Sequence, residues 1–196
     1  MGRRAAVRIV ADVPIQPETK DWTFVLDQAC PECGFDTRDI APTEVARLVR
    51  ENAAGWPAVL ARPDVATRPN DSTWSPLEYA CHVRDVHRLY ATRLELMRTQ
   101  DDPLFPNWDQ DAAAVDERYG EQDPATVSAE LQAAAENIAR AFDTVRDDEW
   151  SRPGRRSDGA SFTIDTFARY YVHDPIHHLY DVTLWGSVGG KQAEAR

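Results

Sequence analysis

The chain has 196 residues, of which 42% are hydrophobic, and a formal net charge of −11. That is apolar material enough for one domain with a core, while the acidity argues against a nucleic-acid partner, whose phosphates need a basic face. No window approaches the roughly 18 apolar residues of a membrane span. The run after Arg3-Arg4 is cut by Asp12 and Pro14 before it becomes a signal core. Three cysteines, an odd number, do not make a secreted disulfide framework, so a cytoplasmic protein is expected. Lys20 and Lys191 are the only lysines among 22 basic residues, which with abundant Ala points to GC-rich coding.

Residues 1–41 read as an irregular N-terminal arm with Pro14, Pro17, Pro31, Gly34 and a short apolar run at Val7–Val10. Helical periodicity begins at Pro42, a good first helical residue. Val45, Leu48, Val49, Asn52, Trp56, Val59 and Leu60 then share a face, and Pro57 leaves the end of that helix open. Ser75-Pro76-Leu77-Glu78 is a capping box for a second helix reaching about Met97 or Arg98, with Tyr79, His82, Val83, Val86, Leu89 and Tyr90 inward. Residues 101–123 form a long connection of the kind used for lids and crossovers. Asp123-Pro124 opens a third helix with Val127, Leu131, Ala134, Ile138, Phe142 and Val145 in one stripe. Arg152–Gly159 reads as a turn-rich loop, and no strands of consequence are expected. The fourth helix, about 162–186, is apolar on several sides and therefore buried, with Pro175 expected to bend it locally. The expected fold is all-α: a four-helix bundle over 42–187 with one long crossover, an irregular N-terminal arm and a flexible tail at 188–196.

All five histidines lie in Cys81-His82-Val83-Arg84-Asp85-Val86-His87 and His173-Asp174-Pro175-Ile176-His177-His178. An α-helix advances about 100° per residue, so positions four apart lie about 40° apart on one face. His173 and His177 form such a pair, and inward-facing His82 supplies a third imidazole from another helix. Together they could hold Zn, Ni or Fe and leave positions open. The competing reading makes His82 a satisfied core histidine and the other two a half-buried polar pair. His178 and His87, each five residues from a candidate ligand, are expected to face away. Asp85, Asp174 and Asp181 are candidate acceptors for ring N–H groups, though exposed helix acids explain them equally. Trp108 and Tyr119 on the crossover could line a substrate mouth or simply pack. Arg155 and Arg156 could meet an anion or be solvated.

Cys30-Pro31-Glu32-Cys33-Gly34 looks like half of a zinc knuckle, and no second Cys-x-x-Cys exists. Cys30 and Cys33 are therefore read as a second metal site, a redox pair, or a tight loop carrying two half-buried thiols. Cys81 is expected to be a small buried residue. No Gly-rich phosphate loop and no nucleophile elbow are present, and no catalytic residue can be named.

The stretch Trp74-Ser75-Pro76-Leu77-Glu78-Tyr79-Ala80-Cys81-His82, followed by His173-Asp174-Pro175-Ile176-His177-His178, resembles the DinB/YfiT-like superfamily over about residues 40–187. The resemblance implies a four-helix bundle with a long crossover, a divalent metal on His82, His173 and His177, and a homodimer. It also implies, through some relatives, a metal-dependent S-transferase or isomerase acting on a low-molecular-weight thiol and an electrophile. The GC-rich coding favours mycothiol as that thiol. The alternative is a non-catalytic metal-binding stress-response protein whose ion pins helices together. The cysteine-bearing arm departs from the family pattern.

Overall fold

A computed structural model of the chain describes residues 20–188; the Val7–Val10 run and most of the tail lie outside them. The described residues form five α-helices: α1 (Val45–Leu60), α2 (Pro76–Thr99), α3 (Gln110–Asp116), α4 (Pro124–Asp143) and α5 (Ile164–Val188). The four long ones, α1, α2, α4 and α5, make the bundle. α1 and α2 each pack chiefly on α4 and α5, so α1 lies across the bundle from α2, and α4 from α5.

Each helix starts where its chemistry directs. A 3₁₀ turn at Pro42–Glu44 leads into α1, with the Glu44 carboxylate accepting from the Ala41 N–H at 3.1 Å. The box at α2 is reciprocal: Ser75 Oγ accepts from Glu78 N at 3.3 Å, and Glu78 Oε2 accepts from Ser75 N at 2.8 Å. Asp123 caps α4 by accepting from Thr126 N at 2.8 Å.

α1 continues through Pro57 to Leu60. A proline cannot donate to the carbonyl four residues earlier; that carbonyl, on Ala53, is taken by the Gln132 side chain of α4. α5 likewise continues through Pro175, whose own carbonyl accepts from Asn52 Nδ2 at 2.8 Å. α1 and α5 approach closely at Gly55, where a Cβ would stand 2.8 Å from Leu179 Cδ2. The core between the helices holds Val49, Trp56, Leu77, Leu94, Leu131, Ile138, Phe167 and Tyr171.

The crossover from α2 to α4 carries structure of its own: α3, a 3₁₀ turn at Tyr119–Glu121, and a two-residue strand. That strand, β1 (Leu104–Phe105), runs parallel to β2 (Pro153–Arg156), which pairs antiparallel with β3 (Ser161–Thr163). The segment expected as a bare loop at 152–159 is thus half of a hairpin, turned at Gly159 with φ +103°. Strands of two to four residues are too short to show the alternation that reveals a strand in sequence. The sheet fastens the crossover to the start of α5. Among the described residues, no helix is long and apolar enough to cross a membrane.

Candidate metal centre

Helix α5 carries two pairs of potential ligands, offset by one residue. His173 and His177 form one stripe; Asp174 and His178 form another, about 100° around the helix. α2 approaches on the side of the second stripe and delivers His82 there. The N-terminal segment approaches the first and delivers Cys30 and Cys33. One ligand atom from each of His82, Asp174 and His178 can lie within 4.8 Å of the others, and the same holds for Cys30, Cys33, His173 and His177. The three histidines expected to share an ion are therefore divided between two neighbouring groups. His178 does face away from His173, as expected, but this direction leads it to His82.

In the first group His82 Nε2 lies 3.4 and 3.5 Å from the two carboxylate oxygens of Asp174, and His178 Nε2 lies 3.8 Å from Asp174 Oδ2. Tetrahedral ligands held at 2.0–2.1 Å are roughly 3.4 Å apart, so these separations suit a divalent ion. Asp174 Oδ1 is buried without a hydrogen-bond partner among the described residues, as are the Nδ1 atoms of His82 and His178 on the far sides of their rings, the latter 3.8 Å from Asp181. Polar atoms are seldom left so. Burial raises the Asp174 pKa, but the imidazoles of His82 and His178 outweigh it and hold the carboxyl well below its usual range. The rings are fixed by aromatic neighbours: Trp108 stacks on His82 at 5.4 Å and 15°, Trp74 lies 5.3 Å from it, and Tyr79 is 4.9 Å from His178.

In the second group Cys30 Sγ is 3.7 Å from His177 Nδ1, and Cys33 Sγ is 3.7 Å from His173 Nε2. His177 Nε2 points the other way, 3.4 Å from Asp181 and 3.5 Å from Glu32. Trp22 covers both rings, at 5.4 Å from His173 and 5.0 Å from His177. Burial lowers His173 to about 4, so its ring is neutral near pH 7, and burial also lowers His177. Burial pushes the Cys33 thiol up to about 11.

Both groups border a cavity of about 1310 Å³, to which His82, His173, Asp174, His177 and His178 all contribute. Trp108 lines it, as do Trp22, Lys20, Arg93 and Arg156. Tyr119 is fully buried instead, and its hydroxyl donates to Asp85 at 2.7 Å. Asp85 also pairs with Arg84 and Arg88, which places it in an ion network on α2 away from both groups. Asp181 does sit beside His177, and Asp174 stands within the group of His82 and His178 rather than behind it. Arg155 pairs with Asp102 at 2.8 Å. Cys81 is buried, and burial holds its thiol at about 12. His87 is buried in the core, its Nδ1 2.6 Å from the Tyr171 hydroxyl.

The sequence reading weighed Asp174 as an acceptor for a ring N–H and turned His178 away, and did not join them with His82 as one group. The signal was present, since 174 and 178 have the same four-residue spacing as 173 and 177.

The fold matches the solved structure of YfiT from Bacillus subtilis with a TM-score of 0.71 and 20% identity, covering 76% of this chain and 87% of that one. YfiT is described as a probable metal-dependent hydrolase with an unusual four-helix bundle topology. No curated protein matches the sequence. A family model for the DinB superfamily matches residues 38–182, three quarters of the chain, including the whole bundle core and every α5 ligand candidate. The chain belongs to the DinB superfamily.

Proposed function

We propose that this protein is a metal-dependent enzyme that joins a low-molecular-weight thiol, such as mycothiol, to an electrophile or uses it in an isomerisation. The working ion is held by His82, Asp174 and His178. The observation that carries this reading is a three-ligand group, with one buried Asp174 oxygen lacking a hydrogen-bond partner, in the wall of a cavity of about 1310 Å³. Pockets for drug-sized ligands are commonly about 300–1,000 Å³, so this space accommodates a sugar-conjugated thiol together with a second reactant. A divalent ion bound there supplies Lewis acidity, favouring the thiolate of a thiol that reaches its open side.

The residues around it have separate tasks. Trp108 and Trp74 hold the His82 ring and exclude water from its faces. Arg93 is 4% exposed, forms no ion pair among the described residues, and leaves its Nε without a hydrogen-bond partner. Its guanidinium lies over Phe105 at 5.0 Å and Tyr90 at 5.4 Å, on the cavity wall it shares with Arg156. A buried cation without a counter-ion is costly; an anionic substituent on the substrate relieves that cost. Lys20, Asp109, Asp111 and Asn107 supply polar edges suited to a polyhydroxylated molecule. In the transfer, sulfur bonds to the electrophilic carbon while the thiol proton and the leaving group depart to solvent.

The test is conjugation of mycothiol to a chlorobimane by the metal-loaded protein. Turnover is expected, with a loss of more than about 100-fold in His178→Ala. A rate no higher than that of metal-stripped protein, or one unchanged in His178→Ala, would contradict the proposal. YfiT's description favours a second reading, in which water replaces the thiol at the same group. Hydrolysis of an ester or amide panel without added thiol selects that reading.

A further inference from the structure

The geometry points to a second metal centre of a different kind: Cys30, Cys33, His173 and His177 form a closed four-ligand zinc site that ties the N-terminal segment to α5. The inference does not depend on the activity proposed above, because it uses none of the ligands of the open group.

Four independent features support it. The donor set is the Cys₂His₂ combination of structural zinc, contributed as two ligands from a loop and two from one face of a helix. Tetrahedral zinc with sulfur at about 2.3 Å and nitrogen at about 2.0–2.1 Å sets these donors roughly 3.6 Å apart. Cys30 Sγ to His177 Nδ1 and Cys33 Sγ to His173 Nε2 are each 3.7 Å. The loop is folded to aim two sulfurs in one direction: Gly34 N donates to Cys30 O at 2.8 Å, Cys30 N donates to Phe35 O at 2.9 Å, and Gly34 takes φ +75°, which favours glycine. The outer nitrogen of His177 faces the carboxylates of Asp181 and Glu32, the arrangement that orients a ligating imidazole.

This centre is more covered than its neighbour. Cys30 is 1% exposed, His173 4% and His177 5%, Cys33 is half-buried, and the Trp22 ring lies against the two imidazoles where they meet the cavity. On binding, the two thiols release their protons, and two thiolates neutralise a dication. A neutral, four-coordinate, covered centre is suited to holding structure rather than to reacting. What it holds is the segment bearing Lys20, Asp21, Trp22, Thr23 and Glu32, which forms one wall of the cavity. The centre therefore shapes one side of the substrate space.

The experiment uses the full-length protein. Metal content is measured on wild type, Cys30→Ser/Cys33→Ser and His178→Ala, and cobalt(II) is exchanged into each. Wild type is expected to bind about two equivalents, with a thiolate-to-cobalt charge-transfer band and intense tetrahedral d–d bands. His178→Ala keeps those bands while losing the open site. Cys30→Ser/Cys33→Ser loses the bands, and its thermal midpoint falls by roughly 10 °C, equivalent to a few kcal/mol at about 2–4 °C per kcal/mol. Should that variant not fold, thiol titration of the wild type replaces it, with two thiols shielded until chelator is added. Cobalt without a thiolate band in the wild type, or a Cys30–Cys33 disulfide in freshly purified protein, overturns the assignment. Loss of turnover with the band intact would instead bear only on the open group.

Discussion

Two ligand groups share one helix yet differ in nearly everything that determines what a metal does. The His173 and His177 stripe meets a cysteine loop, gains two sulfur donors to make four of matched charge, and lies against Trp22. The Asp174 and His178 stripe meets one histidine from α2, has three donors with one negative charge and faces the cavity. A dication is neutralised in the first and keeps net positive charge in the second. A displacement of one residue along α5, about 100° of rotation, thus separates a centre suited to anchoring from one suited to chemistry.

The largest effect should come from separating the two groups by mutation. His178→Ala is expected to lower turnover by more than about 100-fold with a small change in thermal midpoint. His177→Ala is expected to do the reverse: a large loss of stability and a modest rise in KM as the cavity wall loosens. Equal losses of turnover in both, checked by kcat and KM side by side, would merge the two groups into one.

A smaller effect separates the bundle's own electrostatics from the metals. Burial holds His87 at about 4 against an ordinary 6.5, with Asp174 raising it slightly and His82 lowering it. Its folded value lies below its unfolded one, so the stability of the neutral buried ring is complete above about 6.5. It is lost as pH falls toward 4, by up to about 3 kcal/mol. In metal-free protein, the stability gap between wild type and His87→Gln should narrow across that window in urea melts. A gap independent of pH would remove His87 from the account.

The smallest effect concerns the substrate. Arg93→Met keeps apolar contact with Tyr90 and Phe105 and removes the charge. It should raise KM for an anionic substrate about tenfold, roughly 1.4 kcal/mol, with kcat nearly unchanged and stability equal or higher. An unchanged KM would place the anion elsewhere.

The bundle was legible because its signals are long and redundant. The Ser75–Glu78 box, the Asp123-Pro124 start and the Val127–Phe142 stripe each predict an element that the structure contains. The small sheet was not, because β1, β2 and β3 are held by pairing between distant segments rather than by a local pattern. The metal residues were legible as types but not as sets. Cys30 and Cys33 are half of the proposed zinc site, and His173 and His177 the other half. Each half is ambiguous alone, and only the approach of the arm to α5 joins them. His82 had two equally spaced partners available on α5, and spacing along a helix cannot say which side α2 packs against. That choice is made by tertiary packing.

Anomalous diffraction at the metal edge from crystals of the loaded protein tests the central claim most directly. Two peaks are expected, one within about 2.3 Å of both the Cys30 and Cys33 sulfurs and one bounded by His82, Asp174 and His178. A single peak shared by His82, His173 and His177, with the cysteine sulfurs uninvolved, would contradict the division into an anchoring and a reactive centre.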